Sequence, residues 1–164
     1  MRGNWFFLAT LCGLLISCGS EPAREAPRTA EAPIVRDESR RFPPANLVGT
    51  KVIQTHLLAK TFMPGGTVAT YKKGKTEWSL FVAQFPNATD AAIVLPDWRK
   101  ALSNSKLEPS FGGYFGQDDS QPVFVFSKGA WMAGVKGLPE KDADVQARLL
   151  APSYSAISLM RAST

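Results

Sequence analysis

The sequence predicts an α+β domain: a mostly antiparallel sheet of about five to six strands with two main helices packed on one face. Two observations predict it. Hairpin signals at Lys72-Lys73-Gly74-Lys75 and Ser127-Lys128-Gly129 each join runs rich in β-branched and aromatic residues. Behind each hairpin comes a segment with apolar residues at helical spacing, which needs a sheet face to bury its stripe.

The domain starts near Asn46. Leu47 to Ala59 carries β-branched and aliphatic residues and reads as one strand, with a short helix as the alternative. Gly65-Gly66 after Met63-Pro64 reads as a turn first and a binding loop second. Thr67 to Lys72 and Thr76 to Phe85 form the first hairpin, with Gly74 at its tip. On the return strand Trp78, Leu80 and Val82 alternate with Ser79, Phe81 and Ala83, so both faces are apolar and the strand is central. Asn87 is placed to cap a helix bearing Ala91, Val94, Leu95, Trp98 and Leu102; Pro96 either kinks it or starts a second one. Asn104 to Pro109 reads as a turn and Ser110 to Gln117 as an irregular, glycine-rich strand or aromatic loop. Pro122 to Phe126 and Ala130 to Val135 form the second hairpin. Gly137-Leu138-Pro139-Glu140 opens a last helix, with Val145, Leu149 and Leu138 expected to face inward and Pro152 ending it.

The chain has 164 residues, 45% of them hydrophobic, and a net charge of +5. Length suits one domain. Residues 19–45 hold five arginines and five acids and are neutral; residues 46–164 hold 13 basic against 9 acidic side chains. That excess is mild. It favours anionic surfaces through a non-specific field, and with no recognised binding motif it is not a nucleic-acid signature.

The N-terminus is more specific. Arg2 supplies a positive start, Trp5 to Ile16 is a mostly apolar run of 12 residues, and Leu15-Ile16-Ser17-Cys18 follows. The run is too short to span a bilayer core, which needs about 20 apolar residues, and suits the ~7–15 of a signal peptide. These four residues resemble the lipobox of bacterial lipoproteins: Leu, a small or aliphatic residue, a small residue, then Cys. The resemblance implies cleavage before Cys18, a diacylglyceryl group on its thiol, and a lipid-anchored envelope protein. Gly19 rather than Asp after the cysteine implies, in a two-membrane bacterium, the outer membrane facing the periplasm. The other cysteine, Cys12, would leave with residues 1–17, so the mature chain is expected to have no disulfide.

Residues 18–45 then read as the lipidated cysteine and a tether. Proline, alanine and mixed charge dominate and large apolar residues are scarce, so the segment buries too little to offset its ordering entropy. Its prolines make it extended. Ile34, Val35 and Phe42 are the residues best suited to pack back as an arm. The expected organisation is residues 1–17 as signal, 18–45 as tether and 46–164 as one domain.

No catalytic or cofactor motif survives inspection. The glycine-lysine stretch ending at Gly74-Lys75-Thr76 fails as a phosphate loop, because Ala69 stands where the first glycine is required and Gly74 lies at a hairpin tip. His56 is the sole histidine, with no nucleophile elbow for a serine partner. One histidine and no remaining cysteine make no zinc site. Asp118 and Asp119 suit a solvated turn better than calcium, which wants six or more oxygens. Asn87-Ala88-Thr89 matches a glycosylation sequon but reads here as turn and cap. No cofactor or metal is therefore expected.

Two surface features remain. Lys72, Lys73 and Lys75 make a basic hairpin tip; Tyr114 and Phe115 sit among Gly112, Gly113 and Gly116. Each also has a plain structural explanation, a solvated tip and alternating core packing. The leading expectation is a membrane-tethered, non-enzymatic envelope domain that binds a protein partner or envelope component through Lys72, Lys73, Lys75, Tyr114 and Phe115. The rivals are an envelope hydrolase using scattered acids such as Glu77, Asp118 and Asp119, and a carrier of small apolar ligands held by the aromatics between sheet and helices.

Overall fold

Seven strands pair antiparallel throughout, in the spatial order β1-β2-β3-β7-β6-β5-β4. In chain order they are β1 (Leu47–Thr55), β2 (Pro64–Lys73), β3 (Thr76–Gln84), β4 (Ser103–Glu108), β5 (Gly113–Asp118), β6 (Gln121–Lys128) and β7 (Trp131–Lys136). Helix α1 (Ala88–Ala101) follows β3, and α2 (Glu140–Leu150) follows β7. This computed structural model describes residues 35–154. The fold is α+β as expected, with seven strands rather than five to six.

The extra strand is β4. Its polar sequence reads as a turn, yet it pairs with β5 from Ser103↔Gln117 to Glu108↔Gly113. An edge strand exposed to water needs no apolar run, so its hydrogen-bonding partner rather than its own pattern makes it a strand. Gly65 and Gly66 are also corrected: they lie inside β2, not in a turn. A Cβ on Gly65 would meet the carbonyls of Ile53 and Gln54, and one on Gly66 would meet the Val82 carbonyl. Glycine is needed there for close approach.

The two helices do not share a face. Period-two alternation in the central strands makes two cores. Leu80, Val82, Phe124, Phe126, Ala133 and Val135 pack with Leu138, Ala143, Ala147 and Leu150 of the α2 region. Phe81, Ala83, Val123, Val125 and Met132 pack with Ala91, Leu95, Trp98 and Leu102 on and just after α1. The reason is already present in β3: a strand apolar on both sides needs a cover on both sides.

Helix α1 is one continuous element. The Asn87 side chain accepts a hydrogen bond from the Asp90 backbone N–H at 2.9 Å, and Pro96 lies within the helix. In α2 the inward stripe is Ala143, Ala147 and Leu150, so Val145 and Leu149 are 53% and 55% exposed, not inward as their apolar character suggests. Alanines let the helix sit close to β6 and β7; Leu138 is buried as expected.

Residues 35–45, expected as the end of the tether, pack on the α2 face. Phe42 is buried. Tyr71 Oη donates to the Pro43 carbonyl at 2.9 Å, and burial pushes its phenol up to about 12. The Glu38 N–H donates to Thr67 Oγ1 at 3.1 Å, and the Arg41 guanidinium lies 4.4 Å from the Trp131 ring centre. Buried Phe42, these two hydrogen bonds and the Arg41–Trp131 contact offset the ordering of this arm.

Candidate functional site

The most unusual local chemistry lies on the α1 face, where β5, β7 and the β1–β2 connection meet. That connection is strained. His56, Leu58 and Ala59 all have positive φ, at 54°, 55° and 58°. Left-handed backbone costs a residue with a Cβ roughly 1–2 kcal/mol. Fully buried Leu57 holds the segment down, and Met63 anchors its far end by accepting the Trp98 Nε1–H at 3.2 Å. Phe62 meets the Trp98 ring edge-on at 5.5 Å.

The strained segment delivers Lys60. Its Nζ donates to Asp118 Oδ1 at 2.6 Å and lies 5.9 Å from the Trp98 ring centre. Lys136 Nζ, from the end of β7, donates to the other carboxylate oxygen at 3.2 Å. Asp118 is only 4% exposed. The lysine side chains are 19% and 23% exposed. Burial alone would raise the Asp118 carboxyl, but hydrogen bonds from Lys60 and Lys136 outweigh it and hold the group below the ordinary aspartate value.

The β5–β6 hairpin orients the carboxylate. Asp118 pairs with Gln121 across a two-residue turn in which Asp119 and Ser120 both have positive φ, at 48° and 67°. That is the backbone a tight hairpin of this type requires, here without glycine. Asp119 stays exposed. Sequence reasoning grouped Asp118 with Asp119 as a solvated tip and missed Lys60 and Lys136. The available signal was periodicity: Asp118 is two residues from Gly116 and four from Tyr114, on the face that Tyr114 presents to the core.

The expected contact residues do not form one patch. Lys72, Lys73 and Lys75 are exposed at the β2–β3 tip. Lys72 pairs with Glu77 across the hairpin at 2.6 Å. Tyr114 and Phe115 lie in β5, four strands along the sheet from β2 and on opposite faces. Tyr114 packs on the α1-side core, with Arg99 6.0 Å from its ring centre; Phe115 packs on the α2-side core, with Lys106 at 5.9 Å. Phe111 meets Phe124 edge-on and lies tilted against Phe126. Cys18 lies outside the described residues.

The acids of the hydrolase reading are also separated. Glu77 on β3 and Asp118 on β5 are three strand intervals apart, about 14 Å. Paired glycosidase carboxylates stand within about 9.5 Å. Among the described residues no three His, Cys, Asp or Glu side chains gather as a metal site, and no helix is long and apolar enough to cross a membrane.

The two sheet margins differ. β4 is six residues long, its register shifts between Ser103 and Lys106, and Asn104 has φ 52°. Lys106 ties it to Glu140 at the start of α2. β1 is nine residues long, and its outer side pairs with no strand among the described residues. Val48 on it is 67% exposed.

Fold and surface together define an α+β domain with one helix on each face of an antiparallel sheet. Comparisons with protein families, with curated proteins and with solved structures found no match for this chain.

Proposed function

We propose that this protein is a lipid-anchored, non-enzymatic domain of the bacterial envelope that binds a protein partner along β1 and the neighbouring basic tip. The observation that carries the reading is the long margin of β1, unpaired among the described residues, beside Lys72, Lys73 and Lys75. An extended segment can add to such an edge by main-chain hydrogen bonds. Lys51 on β1 and the tip lysines favour a segment with acidic side chains. The contrast with β4, which is shorter and tied to α2 through Lys106 and Glu140, supports β1 as the working edge.

Cross-linking the lipoprotein in its own envelope, followed by affinity capture and mass spectrometry, tests this. A reproducible protein partner is expected. Replacing Lys72, Lys73 and Lys75 together by alanine should weaken that binding by about tenfold at low salt, with the difference shrinking as salt screens it. Unchanged binding at low salt removes the tip from the interface.

The anchor is tested separately. The lipobox resemblance at Leu15-Ile16-Ser17-Cys18 supports acylation of Cys18. Metabolic palmitate labelling should mark the wild-type protein and be abolished in Cys18→Ala. Equal labelling of the variant would refute lipidation at this position.

A further inference from the structure

We infer that Lys60 and Lys136 form a binding site for a single oxyanion group, a phosphate or a carboxylate. Their ammonium groups share one carboxylate, that of Asp118, which each reaches by one hydrogen bond. Each ammonium has three donors. Two positive charges against one negative leave a net charge of plus one where both lysine side chains are about four-fifths buried.

The setting is built rather than incidental. Lys60 is delivered by a segment with three left-handed residues, anchored by buried Leu57 and by Met63 against Trp98. Backbone strain of this kind is retained where a side chain must be aimed. Asp118 holds the two ammoniums together without neutralising both. Ser79 is the cross-strand partner of Lys136, and Thr70 that of Ser79, so all three side chains leave the same face of the sheet. Thr70 is exposed and Ser79 half-buried. A monoanion would complete the charge balance and take the remaining donors. The site is independent of the proposed β1 contact, which uses the sheet margin.

The test uses the full chain in non-ionic detergent at constant ionic strength. Inorganic phosphate, acetate, dihexanoyl phosphatidylglycerol and zwitterionic dihexanoyl phosphatidylcholine are titrated by calorimetry. Saturable binding of at least one anionic probe is expected, together with no binding of the zwitterion. The affinity should fall at least tenfold in Lys60→Met and Lys136→Met but stay within twofold in Lys128→Ala, a change at an exposed lysine. Binding of phosphatidylglycerol without phosphate or acetate identifies a lipid headgroup as the source of the anion; binding of the free ions alone identifies a soluble ligand. If a methionine variant does not fold, the wild-type protein still decides the matter, because its melting temperature should rise saturably with the bound anion and not with chloride. The inference is overturned if no anionic probe binds saturably, if the zwitterion binds equally, or if folded variants lacking Lys60 or Lys136 bind as the wild type does.

Discussion

Replacing Asp118 with alanine is expected to cost about 3 kcal/mol of folding stability. Removing one partner of a buried ion pair leaves the other charge uncompensated, typically at ~3–5 kcal/mol. Here two ammoniums lose their shared carboxylate, but both retain some access to water, which places the loss at the lower end. Urea unfolding followed by tryptophan fluorescence should show a lower midpoint at an unchanged slope. A loss under about 1 kcal/mol would put the cluster among ordinary surface bridges.

The same group sets a pH dependence. The Asp118 carboxyl is held lower in the folded protein, where hydrogen bonds from Lys60 and Lys136 overcome the opposing effect of burial. In the unfolded chain it titrates near the ordinary aspartate value, ~3.9. A depressed folded value contributes stability that is complete above the unfolded value and disappears as pH falls through the folded one. From about pH 4 downward the wild-type protein should therefore lose stability faster than Asp118→Asn. Parallel loss in the two proteins would contradict the pairing.

Trp98→Ala should be as damaging, at about 3–5 kcal/mol, the range for emptying a large aromatic site in a core. Trp98 is fully buried, faces Phe81 at 5.9 Å and Phe62 at 5.5 Å, and gives its N–H to Met63. Its loss opens the core under α1 and releases the anchor of the segment that carries Lys60. The effect should consequently be non-additive with Asp118→Ala in a double-mutant cycle, by about 0.5 kcal/mol or more. Additive losses would show that the loop holds Lys60 in place without Trp98.

Local patterns revealed most elements where a strand or helix carries its own apolar signal. The β2–β3 and β6–β7 hairpins, the Asn87 cap and the inward stripe of α1 were legible for this reason. β4 was not, because polar residues on an exposed edge look like a turn until β5 is beside them. Nor was the facing of α2: Val145 and Leu149 are apolar yet exposed, and Ala143, Ala147 and Leu150 make the contact, the alanines allowing close approach to the sheet. The charged cluster was hidden for a further reason. Lys60 and Lys136, with Asp118 between them, stand 76 positions apart, and none has a local motif.

What the sequence by itself determined is local and covalent: the hairpins, the capped helix, the two-sided apolar strand β3 and the resemblance to a lipobox at Cys18. Such features depend on residues a few positions apart, whose spacing the chain states directly. Only the tertiary structure decided that the helices lie on opposite faces, that residues 35–45 fold onto the sheet, and that one carboxylate gathers two distant ammoniums. Those outcomes depend on which surfaces remain uncovered once the strands have paired, a property of the whole assembly rather than of any segment in it.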